Sequence, residues 1–382
     1  DRRVSTESVV SAIRESAETR TPFRISGRGA WLDAGRPVRA HNRLSLRDDT
    51  GIVSYVPGDL TLTVRAGTTL SEIENVTREH DQWLPLDPYG SPDGTIGATI
   101  ATASAGPLAS SFGLPRDLLL GLEFVNGRGE VVRGGGKVVK NVAGFDLSRL
   151  LTGSWGTLGV ITEVTVRLYA RPRTDRTFAV VLTGSEREST GFIHAMYASL
   201  TPYSMQLLSV ATSRALGLGE NPVCLVRLGG NDAVVAVQLK ALSQGGRPQE
   251  ADTQIWATLR QLDASSESVI RISSVPVRFL GTAARILGED VPGIYTYIDP
   301  RRGVMRIVVG SGSKDDTFAN LSTDPSDDLR FNTNGSSEII FEKLPADVWA
   351  TVSPSVVSDP LSQGIKQAYD PFDLLNPGIL GD

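Results

Sequence analysis

Cysteine occurs once and histidine three times in the 382 residues, and both scarcities exclude whole classes of chemistry. A lone thiol permits no internal disulfide, which fits a reducing compartment. It also excludes a self-contained iron–sulfur cluster, which needs several thiolates. Cys224 sits in the apolar run Pro222-Val223-Cys224-Leu225-Val226 and reads as a small buried hydrophobe. His41, His80 and His194 are far apart in sequence, so no His-rich zinc or non-haem iron site is expected within this chain. No stretch approaches the ~20 apolar residues that span a bilayer. Asp1-Arg2-Arg3-Val4 has no apolar run behind its charges, so no secretory signal is expected; the missing Met reads as trimming. Lys and Arg number 38 against 43 Asp and Glu, a net charge of −5. That balance gives no basic field for nucleic acid or an anionic membrane surface, and no direct membrane insertion is expected. A cytoplasmic protein is expected, with any contact to the inner membrane made through partners.

What is present is an ordinary globular mix, 40% hydrophobic and 21% charged, long enough for two or more cores. The 39 glycines are unevenly placed, crowding positions 27–35, 90–113, 121–136 and 144–159. Glycine permits positive φ and close approach of backbone to a ligand, so loops converging on something are expected in the first half of the chain.

Residues 4–20 read as an opening helix, with Val9, Val10 and Ile13 at helical spacing and Pro22 ending it. Short strands are expected at 23–26, 44–46, 51–55 and 60–64, then a turn over Gly67 to Ile73 opening a helix that runs to about Glu79. This is a first lobe, about 1–84. A Pro- and Gly-rich loop, 85–94, leads to a second lobe, 95–172. Its strands are 119–125, 131–133 after the Asn126-Gly127 turn, and the alternating Val160–Leu168. Pro172 marks a boundary. Strands at 178–182, 224–228 and 304–309 with helices at 233–242 and 253–262 suggest a separate α+β domain over 173–350. The last segment, 351–382, is dense in turn residues between Tyr369 and Gly378 and is expected to pack back on the first domain.

Three glycine-rich stretches are candidate binding loops. Ser26-Gly27-Arg28-Gly29-Ala30 follows a strand, and successive N–H groups there can form a nest for phosphate oxygens or simply turn the chain. The Rossmann pattern is not met, because Trp31 to Pro37 does not read as a helix. Gly94 to Gly106 is small throughout, suiting either close approach to a bulky planar ligand or tight internal packing. Gly153 to Thr162 is a turn feeding a strand, or a hairpin. Gly134-Gly135-Gly136-Lys137 lacks the P-loop hydroxyl and spacing, which excludes a nucleotide triphosphatase reading.

Taken in order, these elements resemble the FAD-binding domain of the vanillyl-alcohol oxidase/p-cresol methylhydroxylase superfamily. The resemblance rests on Pro57 to Val64 with Ala66-Gly67-Thr68, Leu84 to Pro88, Thr95-Ile96-Gly97-Ala98, Gly113 with Arg116-Asp117, and Gly153 to Leu168. Within that superfamily, Lys140 to Leu150 and Leu375-Asn376-Pro377-Gly378 look like the FAD-binding subunit of bacterial glycolate oxidase. The match is strong over about 50–172, returns at 370–380 and is loose between. It implies an α+β, two-lobed, PCMH-type FAD-binding domain over 1–172, an α+β cap domain, and a returning tail.

By the same resemblance FAD lies between the lobes. Ser26, Gly27, Arg28, Gly29, Ala30 and Trp31 would hold the pyrophosphate. Gly94, Thr95, Ile96, Gly97 and Ala98, with Thr102, Ser104, Ala105 and Gly106, would line pyrophosphate and isoalloxazine. Gly159, Val160 and Ile161 would meet the adenine end, Asn376 would approach from the tail, and Pro88, Gly113 and Asp117 complete the set. Where relatives often carry glycine this chain has Ala98 and Ser104-Ala105. Neither the phosphate loop nor residues 107–116 contain His or Cys, so the FAD is expected to be non-covalent.

Relatives that oxidise 2-hydroxy acids carry clustered histidines toward the C-terminal half. Only His194 lies beyond residue 80 here, and hydroxyl oxidation needs a base or Lewis acid for the alcohol proton. No catalytic residue and no metal ligand is assigned. Arg278, Arg285 and Arg306 are weighed as carboxylate binders against ordinary salt bridges, and Tyr295 and Tyr297 as flavin-facing against apolar packing. The expectation is an FAD-bearing subunit of a glycolate-type 2-hydroxy-acid dehydrogenase complex. A sister flavoprotein would handle the small hydroxy-acid substrate and an iron–sulfur subunit would take electrons. The alternatives are a stand-alone flavin oxidase or dehydrogenase, and a structural subunit without FAD.

Overall fold

The structure is a computed structural model and describes residues 5–91, 93–136, 146–182, 186–276, 287–288, 290–310, 338–352 and 360–381. The Lys140–Phe145 part of the glycolate-oxidase-like motif and Arg278 and Arg285 lie outside the described residues. The chain divides into two compact units. The first comprises Asp1–Gly106, Phe112–Arg171 and Ser353–Asp382, and the second Pro107–Ser111 and Pro172–Val352.

The first unit opens with α1 (Thr6–Thr19), whose Ser5 caps the helix by accepting from the Ser8 N–H while the Ser8 hydroxyl accepts from Ser5 N–H. Val9 and Ile13 are fully buried, as their helical spacing predicts. Two short strands, β1 (Phe23–Ser26) and β2 (Asn42–Ser45), pair in parallel. Next come β3 (Ile52–Val56), β4 (Thr61–Arg65) and α2 (Leu70–Arg78), which starts on a Thr69/Glu72 capping box. β5 (Gln82–Trp83) and α3 (Ile96–Thr102) follow. β6 (Leu119–Val125), β7 (Val131–Gly135) and β8 (Val160–Arg167) complete a five-stranded antiparallel sheet of order β3-β4-β8-β6-β7. The stretch 153–162 is therefore not a hairpin: β8 lies centrally between β4 and β6, with Val160, Val164 and Val166 buried. β9 (Tyr169–Ala170) pairs with β5.

In the second unit, β10 (Thr174–Val181), β11 (Ser204–Leu208), β12 (Val223–Gly230), β13 (Gln249–Ala251), β14 (Ser266–Ser273), β15 (Ile294–Asp299), β16 (Val304–Gly310) and β17 (Glu338–Lys343) form one sheet. Its order is β13-β10-β12-β11-β15-β16-β14-β17. Alternate residues such as Met205, Leu207, Val226, Ile298 and Ile307 build a core with Ile193 and Met196 of helix Glu186–Ser199 and Val235 and Leu242 of helix Asp232–Leu242. Cys224 is part of that core, and burial pushes its thiol up to about 12. The chain is α+β, and its two large sheets are antiparallel throughout.

Candidate functional site

A cleft in the first unit, with about 1030 Å³ of empty space counted out to open solvent, is walled by three chain segments. β1 and the loop after it supply Ser26, Gly27, Arg28, Gly29, Ala30 and Trp31. The segment leading into and through α3 supplies Pro88, Gly94, Thr95, Gly97, Ala98, Thr102 and Ser104. Gly159, Ile161 and Asn376 supply the third wall. Ile96, Ala105, Gly106, Gly113, Asp117 and Val160 are not among the lining residues.

Local structure explains this division. α3 turns Ala98, Ala101 and Thr102 to the cleft, positions one helical turn apart, while Ile96 is fully buried on its other side. Gly159 and Ile161 flank Val160 and share a face of the strand, so Val160 points into the core. Gly97 is required by packing: a Cβ there would lie 2.7 Å from the Ala66 Cβ and 2.9 Å from the Ala66 carbonyl oxygen. Gly106 is held the same way, since its Cβ would come within 1.8 Å of the Asp87 carbonyl oxygen. The Asp117 carboxylate accepts the Leu114 N–H at 2.8 Å and stabilises the bend at Gly113.

The loop after β1 is different. Gly29 has φ +78°, and a Cβ there would meet nothing within 4 Å. The N–H groups of Gly27, Arg28, Gly29 and Ala30 donate to no protein acceptor among the described residues. Gly27 packs against the Thr95 side chain that caps α3, which joins two walls. Two cations line the cleft here, Arg28, which is exposed, and Arg24 on β1. The Arg24 Nη2 donates to the Leu32 carbonyl at 2.6 Å. Parallel pairing places Arg24 beside Arg43, and burial, then Arg43, holds the Arg24 guanidinium below its ordinary pKa. An anion would relieve that crowding. Arg24 carries no signal in the sequence, because its like-charged neighbour comes from another strand.

The third wall depends on the tail. Asn376 accepts the Ile25 N–H at 2.7 Å through Oδ1 and donates from Nδ2 to the Trp155 carbonyl at 2.7 Å. Its amide is thus committed to joining β1 to the turn before β8. Further ties are Phe23 N–H to Leu374 O at 2.8 Å and Asn376 N–H to Phe23 O at 3.1 Å. Trp155 and Ile379, neither singled out from sequence, also line the cleft; the glycines on either side of Trp155 were the available signal.

In the second unit, Arg306 is 3% exposed and paired with Asp263 and with Glu342. The carboxylate-binding option for Arg306 is therefore replaced by internal ion pairs. Tyr297, 1% exposed, donates its hydroxyl to Asp263. No group of three His, Cys, Asp or Glu among the described residues is placed to hold a metal ion, and no described helix is long and apolar enough to cross a membrane.

Residues 3–135 match a family model described as an FAD binding domain. The glycolate oxidase subunit GlcE of Escherichia coli (strain K12) is 34% identical over 257 residues, 67% of this chain and 68% of that protein. The glycolate oxidase subunit GlcD of Bacillus subtilis (strain 168) is 30% identical over 209 residues, 54% of this chain but 44% of that protein, so the chain spans under half of it. Among solved structures, p-cresol methylhydroxylase with substrate bound superposes with a TM-score of 0.72 at 17% identity, covering 99% of this chain and 87% of that one; this likeness concerns fold. The glycine loops, the cleft they enclose and these matches agree: the chain belongs to the family of FAD-binding oxidoreductases that includes the glycolate oxidase subunit GlcE.

Proposed function

We propose that this chain is the FAD-bearing subunit of a glycolate-type 2-hydroxy-acid dehydrogenase complex, with FAD held non-covalently in the cleft. The carrying observation is the row of N–H groups at Gly27–Ala30 that donate to no protein acceptor among the described residues, set beside Arg24 and Arg28 on one wall. Successive amide dipoles and fixed cations are what a diphosphate needs, and their orientation is set before the ligand arrives. The α3 face of Ala98, Ala101 and Thr102 is free of bulk, which lets a wide planar ring lie against the backbone. Gly94, Thr95 and Ser104 add small polar edges. FAD in such a site supplies the two-electron redox chemistry, which the protein positions and tunes.

Proton handling is a different matter. The lining residues include neither a carboxylate nor an imidazole, and removal of a hydroxyl proton calls for a base. This supports assigning substrate oxidation to a sister flavoprotein subunit and electron relay or assembly to this chain, with an iron–sulfur subunit accepting electrons. The names of the GlcE and GlcD relatives support the complex. The test is cofactor content after gentle purification. About one FAD per chain, released intact by acid precipitation and accompanied by co-purifying subunits, is the expected result. Colourless protein refutes the FAD-bearing reading, and flavin that stays with the precipitate refutes the non-covalent assignment. Rapid bleaching of the flavin by glycolate in the isolated chain would favour a stand-alone dehydrogenase.

A further inference from the structure

Between Gly153 and Gly156 the chain carries a tryptophan in the left-handed region. Trp155 has φ +54°, and the glycines around it have φ +82° and +73°. Glycine adopts such angles freely, whereas a large side chain with a Cβ does so at a cost. The conformation is held from both sides: Trp155 N–H donates to Ala101 O at 2.8 Å and its carbonyl accepts from Asn376 Nδ2 at 2.7 Å. A turn that needed only this backbone path would be served better by glycine or asparagine. Strain kept at a cleft wall points to what the side chain does there. The Trp155 indole lies 6.4 Å from that of Trp31, at 27° between planes, and both line the cleft.

We infer that Trp31 and Trp155 form the aromatic seat for the adenine ring of the dinucleotide. This rests on the FAD reading above and adds which side chains would seat the adenine end. Trp31 follows Ala30, the last of the open N–H donors, by one residue, about 3.8 Å along the Cα trace. In FAD the diphosphate reaches adenine through one ribose but reaches the isoalloxazine through the longer five-carbon ribitol. An aromatic surface starting beside the diphosphate donors is matched to the nearer ring. Gly159 and Ile161, which line the same cleft, follow Trp155 closely in the chain, so backbone groups are available at the edge of a ring stacked on the pair. Stacking on an aromatic face needs no particular hydrogen-bond pattern, which suits a wall with few polar side chains.

The test compares FAD with FMN, which lacks the adenylate. The full chain, stripped of flavin, is titrated with each by flavin fluorescence, as wild type and as Trp155→Gly, Trp155→Phe and Trp31→Leu. Trp155→Gly suits the positive φ, so it removes the ring while leaving the turn relaxed; circular dichroism and the melting curve confirm folding. Expected are an FAD affinity weakened about 5- to 150-fold in Trp155→Gly and Trp31→Leu, substantial recovery in Trp155→Phe, and unchanged FMN binding. Equal losses for FAD and FMN, or no loss for FAD, overturn the adenine assignment while leaving the flavin site intact. A wild-type chain that takes up neither flavin overturns both readings.

Discussion

Replacing Asn376 with Ala should open the cleft from behind. The side chain is 4% exposed, and its amide satisfies the Ile25 N–H and the Trp155 carbonyl, both at 2.7 Å. Alanine leaves one donor and one acceptor without partners, at about 1–3 kcal/mol each. Asn376 also sits at φ +48°, where asparagine is tolerated and alanine costs about 1 kcal/mol more. The sum is about 3–5 kcal/mol when the losses overlap partly. For a domain this size that is a fall of roughly 6–20 °C in the melting temperature of the first unit. Asn376→Asp keeps the acceptor for Ile25 but places an oxygen against the Trp155 carbonyl, so its loss should be intermediate or larger. Asn376→Gly keeps the backbone angle and isolates the hydrogen bonds. The assay is differential scanning calorimetry with flavin release followed in parallel. Asn376→Ala melting within a degree or two of wild type would refute the view that this amide holds the wall in place.

Gly97→Ala should cost about 1–3 kcal/mol by overpacking α3 against Ala66, and chemical denaturation should show it, whereas Gly29→Ala should lose only about 1–2 kcal/mol to its positive φ. Glu123 tests the acid limb of stability. Burial raises its pKa, but hydrogen bonds from Thr6, Thr162 and Arg133 outweigh this and hold the carboxylate below its ordinary value of 4.5. Its contribution is therefore complete above that value and lost as pH falls through the depressed one. Melting temperature scanned from pH 6 toward about 3 should fall less steeply in Glu123→Gln than in wild type; identical slopes would contradict the assignment. Arg306→Met leaves the buried Asp263 carboxylate without its cation, while Glu342 keeps Arg271, and should destabilise the second unit by about 3–5 kcal/mol, read by urea unfolding. Cys224 should resist thiol reagents in the native state and react on unfolding, because its thiol is fully buried and raised to about 12.

Periodicity made most elements readable, and glycine placement made the loops readable. The opening helix, expected over 4–20, runs Thr6–Thr19, and the helix expected over 233–242 runs Asp232–Leu242. At the cleft, contiguous stretches were read where structure selects alternate residues. A strand period of two sets Val160 apart from Gly159 and Ile161, and a helical period sets Ile96 apart from Ala98, Ala101 and Thr102. Applying those periods within the loops would have found Ala101 and dropped two residues. Other features depend on pairing that sequence order hides. Arg24 meets Arg43 only through a parallel pair, and Arg306 meets Asp263 across 43 positions and Glu342 across 36. The left-handed Trp155 had no local marker beyond its glycine neighbours, since indole is a residue that such a turn ordinarily rejects.

The bond from Ile25 to Asn376 spans 351 positions. A ribosome therefore delivers the first wall of the cleft long before the last, and the whole second unit must emerge in the interval. Loading of any ligand into the finished cleft is thereby deferred until Asn376 has emerged. A chain interrupted before Leu374 could hold a complete five-stranded sheet and still present only an unsealed groove.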